Sequence, residues 1–230
     1  MRVVVTRPEI DAERTAETLR ARGHTVLLAP LMQIKPLPVD LSGPWTAIAV
    51  TSANALSAIA HSADAVRLRK LPVFAVGRRS AAAARDFAEV HSADGDVHAL
   101  ARLITHRHRG GPLLYLAGEH RAADLVGELA RSGITAELRV VYRAVTVPLP
   151  PALIEALQAH SVDAVLHFSR RSAENFVSGA RAANILPAAL AVRHLCLSPQ
   201  VAEPLAAAGA SGIMVAPHPE EAALLALLEP

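Results

Sequence analysis

Small, hydroxylic and cationic residues gather in short groups, each placed directly after a run of apolar residues. The groups are Thr6-Arg7-Pro8, Thr51-Ser52-Ala53-Asn54, Gly77-Arg78-Arg79-Ser80, Gly118-Glu119-His120-Arg121, Ser169-Arg170-Arg171-Ser172 and Ser198-Pro199-Gln200. Where the apolar run is a strand of an open parallel sheet, ligands bind outside its carboxyl end. A helix that follows offers free N–H groups and the positive end of its dipole, which suit anions, and neighbouring hydroxyls add donors. Carboxylates or phosphates are the ligand chemistry of such a set. Any one Ser or Thr, taken singly, reads first as an ordinary helix cap. The recurrence of Arg7, Arg78, Arg79, Arg170 and Arg171 at these same positions favours anion binding by the set as a whole. The candidate binding residues are Arg7, Thr51, Ser52, Gly77, Arg78, Ser80, Gly118, Ser169, Ser172, Ser198 and Gln200.

The set holds no evident general acid or base. Tyr142 is the exception: one of two tyrosines, it falls where a strand gives way to an extended segment. Its phenol can donate a hydrogen bond to a leaving oxygen while uncharged at neutral pH. Plain aromatic packing at a strand end is the competing reading. No Gly-x-Gly-x-x-Gly or Walker loop follows any strand, which argues against dinucleotides and nucleoside triphosphates. His106 and His108 are two apart and diverge on a helix, so with His98 they make a poor zinc site. His167 and His194 fall in strands and read as core or interface groups. Cys196, the single cysteine, reads as a buried inert thiol, because no base is identifiable beside it. It also excludes an internal disulfide and cysteine-based metal clusters.

Elements able to position these residues recur along the whole chain. Strands are expected near Arg2 to Thr6, His24 to Leu31, Ala47 to Thr51, Val73 to Val76, Leu113 to Ala117, Glu137 to Val141, Ala164 to Phe168, His194 to Leu197 and Gly212 to Val215. Amphipathic Ala/Leu/Arg helices lie between them, the alternation of a parallel sheet covered by helices. The helix from about Glu9 to Arg22 puts Ala12, Ala16 and Leu19 on one side and stops at Gly23, where a left-handed residue is favoured. Val3 through Gly23 to Leu31 is echoed by Leu113 through Gly133 to Val141, and Ala47 to Ser52 by Ala164 to Ser169. Val73 to Gly77 is echoed by Leu195 to Ser198, and the helix from Asp96 to His106 by that from Pro219 to Leu228. These offsets of about 110–120 residues indicate a duplicated α/β domain.

Each copy could be contiguous, with a boundary near Gly110-Gly111-Pro112. Alternatively, the first strand-helix-strand unit packs with the later part of the second copy, leaving the middle of the chain to form the other domain. The extended, Pro-bearing segments Met32 to Pro38 and Tyr142 to Pro148 favour the second arrangement as a pair of linkers, although edge strands with long loops give the same local pattern.

Composition bounds the partners. Of 230 residues, 52% are hydrophobic and 19% charged, with a formal charge of +2. That excludes a disordered acidic or polybasic chain, and the scatter of basic residues argues against nucleic acid. All but two of the 23 Lys and Arg residues, Lys35 and Lys70, are arginines. Arginine suits bidentate recognition of carboxylates, but genome composition explains the same excess. No apolar run reaches the roughly 18 residues of a membrane helix, and the N-terminus shows no targeting pattern. A cytoplasmic location and no membrane partner are expected.

In succession, Val5-Thr6-Arg7-Pro8, Thr51-Ser52-Ala53-Asn54-Ala55, Ala75-Val76-Gly77, Gly118 with Arg121, Val140-Val141-Tyr142, Phe168-Ser169 and Leu197-Ser198 through Ala202 resemble uroporphyrinogen-III synthase over the whole chain. The resemblance implies two flavodoxin-like domains of parallel sheets flanked by helices, joined by a two-stranded linker, with the first domain discontinuous. The boundaries become 1–33 plus 149–230 for the first domain, 39–141 for the second, and 34–38 and 142–148 for the linker strands. It implies cyclisation of linear hydroxymethylbilane, which carries eight carboxylates, to uroporphyrinogen III, with loss of water and inversion of the last pyrrole ring. No metal or organic cofactor is implied. A monomer is expected, with a transient contact to the preceding pathway enzyme. Tyr142 matches the family tyrosine proposed to assist departure of the hydroxyl, and Ser80 matches a family threonine. The turn Ser198-Pro199-Gln200-Val201 departs from the pattern, with Val201 where a threonine is common, so Ser198 or Gln200 would substitute. A two-domain binding module for a small carboxylated ligand, without turnover, is the alternative.

Overall fold

Val3, Val4 and Val5 are apolar at successive positions because both faces of their strand are covered, the pattern of a buried parallel sheet. In the computed structural model, Val3 and Val5 pack with Ala12, Leu19 and Leu224, whereas Val4 packs with Leu153, Phe176 and Leu205. The structure describes residues 1–121 and 123–228, with backbone alone for Glu9 and Ile10. Ala122, Glu229 and Pro230, which fall within the expected domain spans, lie outside the described residues.

In chain order the elements are β1 (Arg2–Val5), α1 (Glu9–Ala21), β2 (Thr25–Leu28), β3 (Met32–Pro36), β4 (Ala47–Val50), α2 (Ala53–Ile59), α3 (Ala65–Leu68), β5 (Pro72–Ala75), α4 (Arg78–Ala83), β6 (Glu89–Ser92) and α5 (Val97–Arg107). There follow β7 (Leu113–Gly118), α6 (Leu125–Arg131), β8 (Ala136–Thr146), α7 (Pro151–Gln158), β9 (Ala164–His167), α8 (Arg170–Ala182), α9 (Leu186–Leu190), β10 (Arg193–Cys196), α10 (Pro199–Ala207), β11 (Ile213–Val215) and α11 (Glu221–Ala226).

The chain divides into two compact units, one of Met1–Gln33 with Val145–Pro230, the other of Ile34–Ala144. In the first unit the strand order is β11-β10-β9-β1-β2, all parallel, with Val3 opposite Ala164 and Val4 opposite Val165. Pairing of β1 with β9 joins residues some 160 positions apart. α7, α8 and α10 cover one face and α1 and α11 the other. The second sheet runs β3-β8-β7-β4-β5-β6, and β8 through β6 are parallel neighbours. Here Ile48, Val50, Leu114 and Leu116 meet α2 and α3, while Ala49, Phe74 and Tyr115 meet α5 and α6. Apart from β3, each sheet has the flavodoxin-like order 2-1-3-4-5, and the second reaches it by circular permutation.

Gly23 and Gly133 follow the equivalent helices α1 and α6 with φ +80 and +75, the left-handed end that a side chain resists.

The structure differs from the sequence expectations at three strands. The strand expected to Leu31 ends at Leu28, since Pro30 has no N–H to donate between Ala29 and Leu31, whose N–H groups reach Val5 and Thr6 carbonyls. β6, with a mixed polar sequence and a half-buried edge position, was not among the expected strands. β8 does not stop at Val141 but continues to Thr146, so Tyr142 stands within a strand rather than at its end.

Candidate functional site

Six of the sequence groups lie at carboxyl ends of strands, some in each unit. In the second unit Thr51 and Ser52 follow β4. Ser52 is the extended N-cap of α2 and its Oγ accepts from the Asn54 N–H at 3.2 Å, so it caps in the ordinary way. The Thr51 hydroxyl lies 3.1 Å from the phenol of Tyr115 on β7, a residue that no local motif marks as part of a site. Burial raises the Tyr115 pKa, the Thr51 hydrogen bond and the Arg121 charge oppose this, and charge on Tyr142 would add to the rise. Tyr142, half-buried, packs against the core beneath α2.

Gly77 is the N-cap of α4 and contributes no side-chain cap. Arg78 is exposed and pairs with Asp94 at 3.4 Å, while Ser80 is buried on α4. After β7 no helix begins at once. α6 starts only at Leu125, capped by Asp124, whose carboxylate accepts from the Gly127 N–H at 3.0 Å. The Gly118-Glu119-His120-Arg121 group is thus a strand end and loop, not a helix N-terminus. Arg121 folds back, its Nη1 donating to the carbonyls of Gly118 and Glu119, each at 3.0 Å.

In the first unit Ser169 caps α8, its Oγ accepting from the Ser172 N–H at 3.1 Å, and Ser172 is buried with its hydroxyl donating to the Ser169 carbonyl at 2.9 Å. Ser198 is the extended N-cap of α10 without a side-chain cap bond, and Gln200 beside it is exposed. The free N–H groups at the starts of α8 and α10 supply the donors an anion needs. Arg7 is buried. Its guanidinium carbon stands 4.2 Å from the centre of the Phe168 ring, and Nη1 donates to Thr15 Oγ1 and Glu221 Oε2, both at 3.1 Å. Glu221 also accepts from Arg14 at 2.7 Å and from the Thr15 hydroxyl at 2.6 Å. Burial would raise the Glu221 pKa, but the Thr15 hydroxyl and the charges of Arg7 and Arg14 bring it below its ordinary value. Glu221 is 214 residues from Arg7, so no local signal in the sequence could have joined them.

The buried titratable groups of the first unit lie elsewhere. His167 and His194 are fully buried, with Nε2 of His167 3.1 Å from Nδ1 of His194. Phe176 meets both rings edge-on. Burial, and secondarily the other ring's charge, lower the His167 pKa well below 6.5, and burial takes His194 to about 4. Cys196 is buried and its thiol is pushed up to about 12. Among the described residues, no three His, Cys, Asp or Glu side chains are grouped to hold a metal ion, and no helix is long and apolar enough to cross a membrane.

Comparison with known proteins places these features in context. The family model for uroporphyrinogen-III synthase HemD matches residues 13–226. The uroporphyrinogen-III synthetase of Helicobacter pylori is similar in structure, with a TM-score of 0.68 and 18% identity over 99% of this chain and 98% of that one. A mutant uroporphyrinogen III synthase of Thermus thermophilus gives a TM-score of 0.54 and 22% identity, over 99% and 96% of the two chains. At these identities the structural likeness speaks for the fold. No curated protein sequence matches.

Proposed function

The chain belongs to the uroporphyrinogen-III synthase family, and we propose that its strand-end residues hold hydroxymethylbilane while Tyr142 assists the departure of its hydroxyl. The protein is a cyclising lyase of tetrapyrrole biosynthesis; the observation that carries this is the family match across residues 13–226. Nothing favours a binding module without turnover.

The proposed roles follow from the chemistry of each group. N–H groups at the starts of α2, α4, α8 and α10 suit the substrate's carboxylates, with Thr51, Ser52, Ser169, Ser198, Gln200 and the exposed Arg78 as further donors. Gly77 leaves the start of α4 open, since a Cβ there would meet nothing within 4 Å. Arg7, Ser80 and Ser172, being buried, support these ends from within. The Tyr142 O–H donates toward the hydroxyl, which leaves as water and generates an electrophilic azafulvene. Attack on it by the substituted carbon of the terminal ring gives a spiro intermediate that fragments and recombines to the inverted isomer. Free in solution the same azafulvene closes to the uninverted isomer, so control of geometry is the core of the catalysis. The protein acts in this reading as a cytoplasmic monomer, meeting the preceding enzyme only transiently.

Freshly prepared hydroxymethylbilane, incubated with the protein, should yield mostly isomer III; isomer I at the uncatalysed rate would defeat the assignment. Tyr142→Phe should lower turnover with the fold retained, by about 100-fold or more if the phenol assists as a general acid. Full activity would reduce Tyr142 to packing.

A further inference from the structure

Gly118 is buried at the end of β7 and is paired with Tyr142 across a register shift, the ladder passing from Ala117 opposite Val140 to Gly118 opposite Tyr142. A Cβ on Gly118 would stand 2.6 Å from Cζ of Tyr142 and 2.8 Å from both its Cε2 and its hydroxyl oxygen. The reacting end of the phenol therefore rests directly on the Gly118 backbone. Gly118 is not among the residues of positive φ, so space beneath the ring, not backbone conformation, is what requires a glycine. The support is fixed on both sides. The Glu119 N–H donates to the Tyr142 carbonyl at 3.0 Å, and Arg121 ties down the carbonyls of Gly118 and Glu119.

From this contact we infer that Gly118 is a positioning residue for the reaction: its missing side chain seats the Tyr142 phenol, and Arg121 braces the strand end that forms the seat. The inference rests on the reading of Tyr142 as the group that assists departure of the hydroxyl. A methyl group at position 118 needs ordinary carbon contacts of about 3.5–4.0 Å, so the tip of the ring must retreat by about 1 Å. The clashing atoms are the far end of a side chain, and the ring yields without unfolding the sheet. A displacement of that size at a reacting group costs on the order of 100-fold in rate.

The test is a double-mutant cycle on the full-length protein, with hydroxymethylbilane as substrate and isomer III as the readout. Gly118→Ala is expected to lower kcat by about 10–100-fold with KM nearly unchanged. In a Tyr142→Phe background the same substitution should change kcat less than about twofold, because the ring still shifts but carries no hydroxyl to misplace. Equal losses in both backgrounds, or a raised KM with kcat kept, would overturn the inference and assign Gly118 to direct substrate contact. Wild-type turnover by Tyr142→Phe alone would instead overturn the reading on which it rests. With 3-fluorotyrosine incorporated, the chain's two tyrosines give two fluorine resonances, and the one lost in Tyr142→Phe identifies Tyr142. Gly118→Ala should shift that resonance, and Arg121→Gln should broaden or shift it; an unmoved resonance in both variants refutes the seat independently of activity.

Discussion

Lowering the pH from 7 to 5 should weaken the first unit through its buried histidine pair. His167 and His194 are both fully buried, a mutual hydrogen bond joins Nε2 of His167 to Nδ1 of His194, and among the described residues Nδ1 of His167 has no hydrogen-bond partner. The neutral rings fit this site and a charged ring does not: burial depresses both pKa values, His194 to about 4, with the nearby Ala189 carbonyl only partly opposing. Well above pH 6.5 neither the folded nor the unfolded chain protonates these rings, and their contribution to stability is complete. As pH falls below 6.5 the unfolded chain binds protons first, so stability is lost progressively until His194 titrates in the fold at about 4. At about 1.4 kcal/mol per pH unit, His194 alone accounts for about 2 kcal/mol at pH 5. His167 adds to the loss in the same direction. Protection of β9 and β10 amides against hydrogen exchange, corrected for intrinsic rates, reports this unit. Trp45, the single tryptophan, lies in the second unit and gives that unit a separate fluorescence signal. Replacing both rings, in His167→Leu/His194→Leu, removes the pair without leaving one polar partner stranded. The wild type should lose at least about 2 kcal/mol more protection than this variant between pH 7 and pH 5. The same pH slope in both proteins would refute the reasoning.

Two further outcomes bear on the first unit. Glu221→Gln should destabilise it by about 1–3 kcal/mol, because it weakens the acceptor shared by Arg7, Arg14 and Thr15 and removes the carboxylate charge that both arginines face; the Glu221 contribution is present above pH 4.5 and fades below it, and an unaltered denaturation midpoint at pH 7 would contradict it. Cys196 should react with a thiol reagent at pH 8 only after denaturant is added, since burial takes its pKa to about 12; rapid labelling of the native protein would show that the strand opens.

Much of the fold was legible because parallel strands buried on both faces leave an unmistakable mark. Ala47-Ile48-Ala49-Val50 and Ala164-Val165-Leu166 have no polar face to misread, and both are central strands. β6 escaped because Glu89-Val90-His91-Ser92 lies at a sheet edge, where half-exposure lets polar residues in and dilutes the signal. Ser52 and Ser169 were legible as helix starts, since capping is a local matter of side-chain oxygen and backbone N–H two or three residues on. The surroundings of Arg7 were not. Its sequence neighbours predict an anion-facing cation, but Glu221, Thr15 and Phe168 reach it from other elements, the first two accepting from Nη1 and the ring packing against the guanidinium.

The sequence by itself determined the class of structure, the internal repeat and the strand ends at which its small, hydroxylic and cationic groups fall, because periodicity, turns and caps are encoded over a few residues. Tertiary structure alone decided which β1 neighbour is real, that Glu221 answers Arg7, that His167 and His194 share a hydrogen bond, and that Tyr142 rests on Gly118. Each of these joins residues at least 24 positions apart through strand pairing or register. Such contacts depend on where the chain returns in space, and a single-residue shift in the β7–β8 ladder would be enough to put another side chain above Gly118.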